Sequence, residues 1–179
     1  MARIILITGG SRSGKSMHAQ HIAESIPGTR TYIATCPVID EEMEERIRKH
    51  KETRQAGNWQ TIEETTDLVD ALTRAGGSRA ILVDCLTLWV NNLMYDAELQ
   101  KKEINEEEIV KRCRDVLDAC DEISGTVIFV TNEIGMGIVP DNALSRLYRD
   151  IAGRCNQVMA ERANNVIFMV SGMPLNIRG

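Results

Sequence analysis

One glycine-rich segment carries the most specific chemical pattern in this chain. It matches G-x-x-x-x-G-K-[ST] and consists of Gly9, Gly10, Ser11, Arg12, Ser13, Gly14, Lys15 and Ser16. Glycines let successive backbone N–H groups close around a phosphate, and a following helix directs its positive end at the same anion. Lys15 adds a mobile charge for the β- and γ-phosphates, and the Ser16 hydroxyl is a ligand for Mg²⁺. Because an apolar strand precedes the segment and a helix follows it, the pattern predicts a nucleoside triphosphate site.

A metal-bound triphosphate also needs an acidic side chain, normally at the end of a neighbouring strand. Asp84 directly follows the apolar run of residues 80–83 and fits this role. An Asp at this position would equally suit the cap of a helix that begins at Leu86. Glu133 ends another apolar run and is a rival for the metal. The pattern predicts Ser16 and Asp84 as metal ligands and leaves the choice between Asp84 and Glu133 open.

A histidine at position 50 is a candidate nucleophile. It lies on a predicted helix whose positions i, i+4, i+7 and i+11 are Met43, Ile47, His50 and Arg54. We expect this face to pack inward, with Lys51 and Arg54 beside an imidazole that attacks a phosphate. A half-buried structural histidine is the alternative. His18 and His21, in the helix after the glycine-rich loop, are expected to have surface or packing roles.

The sequence predicts alternating strands and helices, and these elements must position the candidate site residues. Short β-branched runs indicate strands at Arg3–Thr8, Thr31–Ala34, Ala80–Asp84, Thr126–Thr131 and Asn165–Ser171. Helical periodicity indicates helices at Lys15–Ser25, Asp40–Arg54, Thr66–Ala75, Leu86–Tyr95, Glu106–Ile123 and Ala143–Arg162. Because continuous apolar runs are typical of parallel strands covered on both faces, the predicted fold is α/β, a mainly parallel sheet flanked by helices. The charged segment Asp96–Glu108 is predicted to be a solvated loop and helix start.

Length and composition set the class of protein. The 179 residues suit one domain (1–179), and 43% hydrophobic with 26% charged residues is the balance of a globular protein. A net charge of −5 without a dense Lys/Arg cluster argues against nucleic acid as the main partner. No apolar run reaches the ~18–20 residues of a transmembrane segment, and the N-terminus shows no targeting pattern. We therefore expect a cytoplasmic protein.

The cysteines are five in number, at positions Cys36, Cys85, Cys113, Cys120 and Cys155. An odd count without a C-x-x-C pair argues against a disulfide framework and a zinc site. Cys113 and Cys120 lie seven residues apart on one predicted helix face. This spacing predicts buried structural thiols.

Further motifs follow the glycine-rich loop in a specific order. They are Thr8–Ser16, Tyr32–Thr35, Glu42-Met43 with Arg46-Ile47, His50-Lys51 with Arg54, Trp59 with Glu63, Asp84–Thr87, Val130–Pro140, Arg149–Arg154 with Asn156-Gln157, and Val170–Gly172. The runs T-N-E-x-G-x-G-x-V-P and R-D-x-x-G-R-x-N-Q are far more specific than the loop. Over essentially its whole length, the chain resembles the adenosylcobinamide kinase/adenosylcobinamide-phosphate guanylyltransferase family of cobalamin biosynthesis.

The resemblance implies a RecA-like P-loop fold that carries two reactions. ATP or GTP phosphorylates adenosylcobinamide, and GTP then transfers GMP to that phosphate through a guanylylated histidine, giving adenosylcobinamide-GDP and pyrophosphate. The matching histidine is His50, and Lys15 is the second residue assigned to catalysis. Mg²⁺ is the implied cofactor and a homotrimer the implied assembly.

By position, the resemblance also assigns residues to nucleotide binding. They are Gly9–Ser16, Ile33, Ala34, Thr35, Lys51, Glu52, Thr53, Arg54, Glu63 and Asp84. Some relatives have Glu at position 84 and histidine at position 49, where this chain has Asp84 and Lys49. Three alternatives remain open: a guanylyltransferase without the kinase step, another small-metabolite P-loop kinase with a structural His50, and a nucleotide-dependent switch that orders Asn132–Asn142.

Overall fold

The computed structural model describes residues 1–37 and 57–179, which form a seven-stranded sheet with helices on both faces. The strands are β1 (Arg3–Gly9), β2 (Arg30–Ala34), β3 (Trp59–Glu63), β4 (Ala80–Asp84), β5 (Thr126–Val130), β6 (Asn165–Val170) and β7 (Met173–Arg178). They lie in the order β3-β2-β4-β5-β1-β6-β7, and every neighbouring pair is parallel except β6 and β7. The mainly parallel sheet confirms the predicted α/β class.

The described ranges contain five α-helices. They are α1 (Lys15–Ser25), α2 (Leu68–Ala75), α3 (Leu86–Leu99), α4 (Glu106–Asp121) and α5 (Ala143–Arg162). α1 and α5 have the predicted bounds, whereas α3 continues past Tyr95 into the segment predicted as a loop. The helix predicted at Asp40–Arg54 lies outside the described residues. None of the five helices is long and apolar enough to cross a membrane.

The apolar strands bury both faces of the sheet, which explains why their apolar runs are continuous. Along β1, Ile5 and Ile7 belong to the core on the α1 side, whereas Ile4 and Leu6 pack in the layer of α2 to α5. Successive side chains of a strand point to opposite faces, so both parities must be apolar when both faces are covered. Cys113 is buried in the α2 to α5 layer, and Cys120 likewise, as predicted for these two thiols.

Two strands that the sequence did not predict lie at opposite edges of the sheet. β3 pairs with β2 alone among the described strands, and none of its five residues is fully buried. β7 pairs antiparallel with β6, contains Pro174, and is exposed at all six residues. Edge strands bury little apolar surface and tolerate proline, so they lack the pattern that reveals a central strand.

The parallel register brings the predicted site residues to one end of the sheet. Glu63, Ala34, Asp84, Val130 and Ile7 stand at the same level on β3, β2, β4, β5 and β1, respectively. The glycine-rich loop begins on β1 two residues beyond this level. Ligands of open parallel sheets bind at the carboxyl ends of the strands. The carboxyl edge of the sheet is therefore the candidate ligand site.

Candidate active site

The glycine-rich loop joins β1 to α1 and leaves the start of α1 open. Gly14 occupies the N-cap position with φ of 94°, a conformation that favours glycine. No side chain of the described residues caps this helix, and its first turn contains no acidic residue. The N–H groups of this turn and the positive end of the helix dipole together form an anion site. The geometry fits the triphosphate site that the sequence predicts.

Neighbouring segments hold this loop in place. The backbone N–H of Gly172, in the turn between β6 and β7, donates to the carbonyl oxygen of Ser13 at 3.0 Å. A Cβ added at Gly9 would lie 2.5 Å from the carbonyl oxygen of Met169 on β6, so a side chain there would displace the backbone. Met169 and Gly172 therefore support the loop through main-chain contacts.

Lys15, the first residue of α1, folds back over its own loop. Its side chain is 7% exposed, and Nζ donates to the carbonyl oxygen of Gly10. Burial lowers the pKa of the ammonium group, and the charges of Cys85 and Asp84 oppose this shift. Because burial raises the pKa of the Cys85 thiol to about 11, that thiol is neutral near pH 7. Asp84 is therefore the anion of this pair that acts on Lys15.

Asp84 ends β4 on the face of the sheet that carries α1. Leu82, two positions earlier, packs in the core on the α1 side, and the Tyr32 hydroxyl donates to Asp84 Oδ2 at 3.1 Å. The alternative role as a helix cap is wrong in this structure, because Cys85 occupies the N-cap position of α3 and no side chain caps that helix. The Asp84 carboxylate instead lies at the edge beside the glycine-rich loop.

Glu133 is held from the opposite side of the sheet. Its backbone N–H donates to the carbonyl oxygen of Gly9 at 3.2 Å. Its Oε1 accepts hydrogen bonds from Thr8 Oγ1 at 2.6 Å and from Asn156 Nδ2 at 3.2 Å. Asn156 lies on α5, in the helical layer that faces away from α1. The two acids that the sequence leaves as rivals thus have different surroundings.

The donors on the α1 side fit Mg²⁺. Ser16 contributes a hydroxyl in the first turn of α1, and Asp84 contributes a carboxylate. Within residues 1–37 and 57–179, no three His, Cys, Asp or Glu side chains form a cluster that could hold a metal by themselves. Mg²⁺ usually keeps several waters and binds through one or two carboxylates plus substrate phosphates. A small set of oxygen donors beside a phosphate loop matches that preference.

The end of β2 is largely built into the core. The side chains of Ile33 and Thr35 are 0% exposed, and Ala34 is half-buried between them. Thr35 Oγ1 donates to the carbonyl oxygen of Cys85 at 2.9 Å and accepts from the Cys85 N–H at 2.7 Å. These bonds join the end of β2 to the start of α3. The role of Ile33, Ala34 and Thr35 in nucleotide binding stays a prediction.

Glu63 stands at the exposed end of β3, two strands away from Asp84. Four strand spacings of ~4.8 Å separate its level on β3 from the same level on β1. Glu63, the candidate for recognition of the guanine base, therefore lies four strands away from the strand that leads into the phosphate loop. The remaining predicted site residues, His50, Lys51, Glu52, Thr53 and Arg54, lie outside the described residues.

A hydrogen-bond network joins Thr87, Thr131, Asn132 and Asn156, none of which the sequence named as a catalytic, nucleotide-binding or metal-binding residue. Asn156 Oδ1 accepts from Thr131 Oγ1 at 2.7 Å, and its Nδ2 donates to the carbonyl oxygen of Asn132 at 3.0 Å. Thr87 Oγ1 accepts from the N–H of Asn132 at 3.0 Å and from its Nδ2 at 2.9 Å. The sequence signal for this network is the polar run T-N-E directly after an apolar strand. The identity of its partners depends on the fold.

The chain matches a family model over nearly its whole length. Residues 5–177 match the model described as cobinamide kinase / cobinamide phosphate guanyltransferase. The chain is 41% identical to the bifunctional adenosylcobalamin biosynthesis protein CobU of Salmonella typhimurium, over 98% of this chain and 99% of that protein. It is 41% identical to the bifunctional protein CobP of Pseudomonas aeruginosa, over 97% and 96% of the two chains. It is 39% identical to CobU of Escherichia coli, over 98% and 99%.

A solved structure with a similar fold is an ATPase from the type III secretion system of pathogenic bacteria. The TM-score is 0.57 at 11% sequence identity, and the likeness covers 93% of this chain and 50% of the other. At this identity the likeness concerns the fold. It agrees with the predicted α/β architecture.

Proposed function

Because the chain belongs to the cobinamide kinase / cobinamide phosphate guanyltransferase family, we propose that it catalyses both reactions of that name. In the first, the γ-phosphoryl group of ATP or GTP moves to the hydroxyl group of adenosylcobinamide. In the second, GTP gives its GMP unit to the new phosphate, forming adenosylcobinamide-GDP and releasing pyrophosphate. The structural observation that carries the proposal is the uncapped start of α1, where the Lys15 ammonium interacts electrostatically with Asp84.

For the kinase step, the backbone N–H groups of Gly9–Ser16 bind the phosphates and Lys15 neutralises charge on the transferred group. Ser16 and Asp84 would hold Mg²⁺, which supplies further positive charge to the phosphoryl oxygens. Lys15 now donates to Gly10 and lies within reach of Ser13 Oγ, so it must exchange these contacts for phosphate oxygens when nucleotide binds.

For the transferase step, we propose that His50 attacks the α-phosphate of GTP, with pyrophosphate leaving toward the loop. A covalent P–N intermediate divides one transfer between two anions into two displacements. Lys51–Arg54 and Glu63 would bind the guanine nucleotide. The support for these assignments is the resemblance of the motifs, together with the position of Glu63 at the same sheet edge as Asp84.

We further propose that residues 1–179 act as one domain and that the protein is a cytoplasmic homotrimer. The family resemblance suggests the trimer, and exposed apolar side chains give it support. Met173, Leu175 and Ile177 alternate along β7 and are 59–68% exposed. Apolar surface concentrated on an edge strand is typical of a subunit interface.

The test of the two-step proposal is product analysis with the wild-type protein, adenosylcobinamide, ATP and GTP. Adenosylcobinamide phosphate should form with ATP present, and adenosylcobinamide-GDP should follow when GTP is added. Supplying adenosylcobinamide phosphate with GTP examines the second step by itself. If adenosylcobinamide-GDP forms from supplied adenosylcobinamide phosphate but adenosylcobinamide itself is not phosphorylated, the protein is a guanylyltransferase without the kinase step.

Asp84→Asn is expected to lower both activities about 100-fold and to change their dependence on the divalent cation. The amide keeps the shape and can still accept the hydrogen bond of Tyr32, but it lacks the negative charge that a metal needs. Turnover measured over a range of Mg²⁺ and Mn²⁺ concentrations should show partial recovery with one of them. Tyr32→Phe is the matched control, because it removes the hydrogen bond and keeps the carboxylate. An unchanged Mg²⁺ dependence in Asp84→Asn would contradict the metal assignment.

Glu63→Gln is expected to lower the preference of the transferase step for GTP over ATP by about tenfold. A carboxylate accepts hydrogen bonds from both the amino group and the ring N–H of guanine, whereas adenine lacks this donor pair. Competition between labelled GTP and ATP for reaction with the protein measures the preference. If wild-type protein reacts equally with both nucleotides, Glu63 does not select guanine.

A further inference from the structure

The backbone of Glu133 contacts the start of the triphosphate loop, and its carboxylate is anchored through one of its two oxygens. Oε1 accepts from Thr8 and Asn156, while the backbone N–H is bonded to Gly9, the first residue of the loop. Among the described residues, Oε2 accepts no hydrogen bond and Glu133 forms no ion pair. The side chain is therefore fixed in orientation with one oxygen left for another group.

Asn156, on α5, holds the Glu133 carboxylate in its orientation. It is 9% exposed, and its amide bonds to three successive residues: Thr131 Oγ1, the Asn132 carbonyl and Glu133 Oε1. Buried amides with such complete pairing orient their partners, because any other arrangement leaves polar groups unsatisfied. The direction of the Glu133 side chain is consequently set by α5, twenty or more residues away in sequence.

A carboxylate beside bound triphosphate repels it unless the carboxylate binds a cation or accepts a proton. In the proposed function the cation is held by Asp84, on the α1 side of the sheet, and by Ser16. Glu133 is reached from the other face and hydrogen-bonds to neither of those residues. Its second oxygen has no hydrogen bond within residues 1–37 and 57–179 and can accept a proton, which an attacking hydroxyl must lose during phosphoryl transfer.

We propose that Glu133 is the general base of the kinase step and that Asn156 is its positioning residue. The inference rests on the proposed kinase function. The acceptor hydroxyl oxygen forms a bond to the γ-phosphorus while the bond from that phosphorus to the β–γ bridging oxygen breaks and ADP leaves. The hydroxyl proton passes to Glu133 Oε2 and from there to solvent. GMP transfer has no hydroxyl to deprotonate, because its acceptor is a phosphate.

Glu133→Gln tests the base, since the amide keeps the shape and can still accept from Thr8 and Asn156. With ATP and adenosylcobinamide, kcat should fall about 100-fold or more, whereas GMP transfer from GTP to supplied adenosylcobinamide phosphate should stay within about threefold of wild type. Glu161→Gln, at an exposed position of α5, is the matched control and should leave both steps unchanged. Equal losses in both steps, or a kinase step that keeps its rate, would overturn the assignment.

Asn156→Ala and Asn156→Asp test positioning, the second variant keeping an acceptor for Thr131 if the first fails to fold. Each should lower the kinase kcat about tenfold with KM for ATP unchanged, and should add no further loss in the Glu133→Gln background. A merely structural role would reduce both steps and give additive losses, which would contradict the proposal.

Slow ATP hydrolysis in the absence of adenosylcobinamide separates this inference from the proposed function. Water replaces the acceptor hydroxyl and must also lose a proton, so Glu133→Gln should reduce this hydrolysis about tenfold or more. If wild-type protein fails to phosphorylate adenosylcobinamide, the proposed kinase function is contradicted, and hydrolysis still decides the role of Glu133. Hydrolysis that is unchanged by Glu133→Gln overturns the inference.

Discussion

Lys15→Ala is expected to abolish both the kinase and the guanylyltransferase steps while leaving the fold intact. The Lys15 ammonium lies over the phosphate loop, and both reactions build negative charge on phosphoryl oxygens near this loop. Removing one preorganised charge-stabilising donor typically costs about 100- to 1,000-fold in kcat. Turnover of the two steps, measured separately with supplied intermediates, gives the comparison.

We expect folding to be little affected, although Lys15 is only 7% exposed. Its hydrogen bonds go to Gly10 and Ser13 within its own loop, and burial disfavours its charge, as the lowered pKa indicates. Thermal unfolding of Lys15→Ala should therefore follow wild type closely. Lys111→Ala, on the exposed surface of α4, serves as the control for loss of one positive charge. A folded Lys15→Ala protein with near-normal turnover would contradict the assignment of the glycine-rich loop as the triphosphate site.

His50→Ala is expected to lose both the covalent guanylyl adduct and GMP transfer. Imidazole has a reference pKa of ~6.5, so it is mostly neutral and nucleophilic near pH 7. Nearby cations, such as Lys51 and Arg54 on the same predicted helix, disfavour the imidazolium form. Part of the kinase step should survive, because its acceptor is the substrate hydroxyl. Incubation with α-labelled GTP, followed by intact mass and peptide mapping, measures the adduct.

The adduct itself should behave as a phosphoramidate. It should be labile in acid, stable in base, and formed by GTP without adenosylcobinamide. His21→Ala is the matched control, because His21 lies exposed on α1 and should not affect labelling. Label that persists in His50→Ala, or that maps to His18, His21 or a lysine, would contradict the histidine mechanism.

Several helices and strands of this fold are specified by local sequence, and for these elements the sequence alone was sufficient for a correct prediction. The bounds of α1, Lys15–Ser25, and of α5, Ala143–Arg162, agree with the sequence prediction because Gly14 and the Asn142 cap set the starts of these helices. Central strands such as β1 and β4 are recognisable because both of their faces are buried and their apolar runs are continuous. The phosphate loop, the parallel fold and the family follow from such runs and motifs.

The edge strands are different because their stability comes from a partner. β3 has only Trp59 and Ile62 as apolar residues, and it exists through its pairing with β2. β7 reverses direction against β6 and includes Pro174. Periodicity carries little information about either strand, since neither buries a full apolar face. Their pairing partners are fixed by contacts distant in sequence.

The sequence by itself identified Asp84 and Glu133 as acids at strand ends, and the tertiary structure decided how they differ. Strand alternation places Asp84 on the α1 side, near Lys15 and bonded to Tyr32. Glu133 is instead held by Thr8, 125 positions earlier, and by Asn156, 23 positions later. A one-dimensional pattern records that each acid ends an apolar run. Which side of the sheet each acid faces, and which oxygen remains unbonded, depends on strand order and on a helix that returns to the same edge.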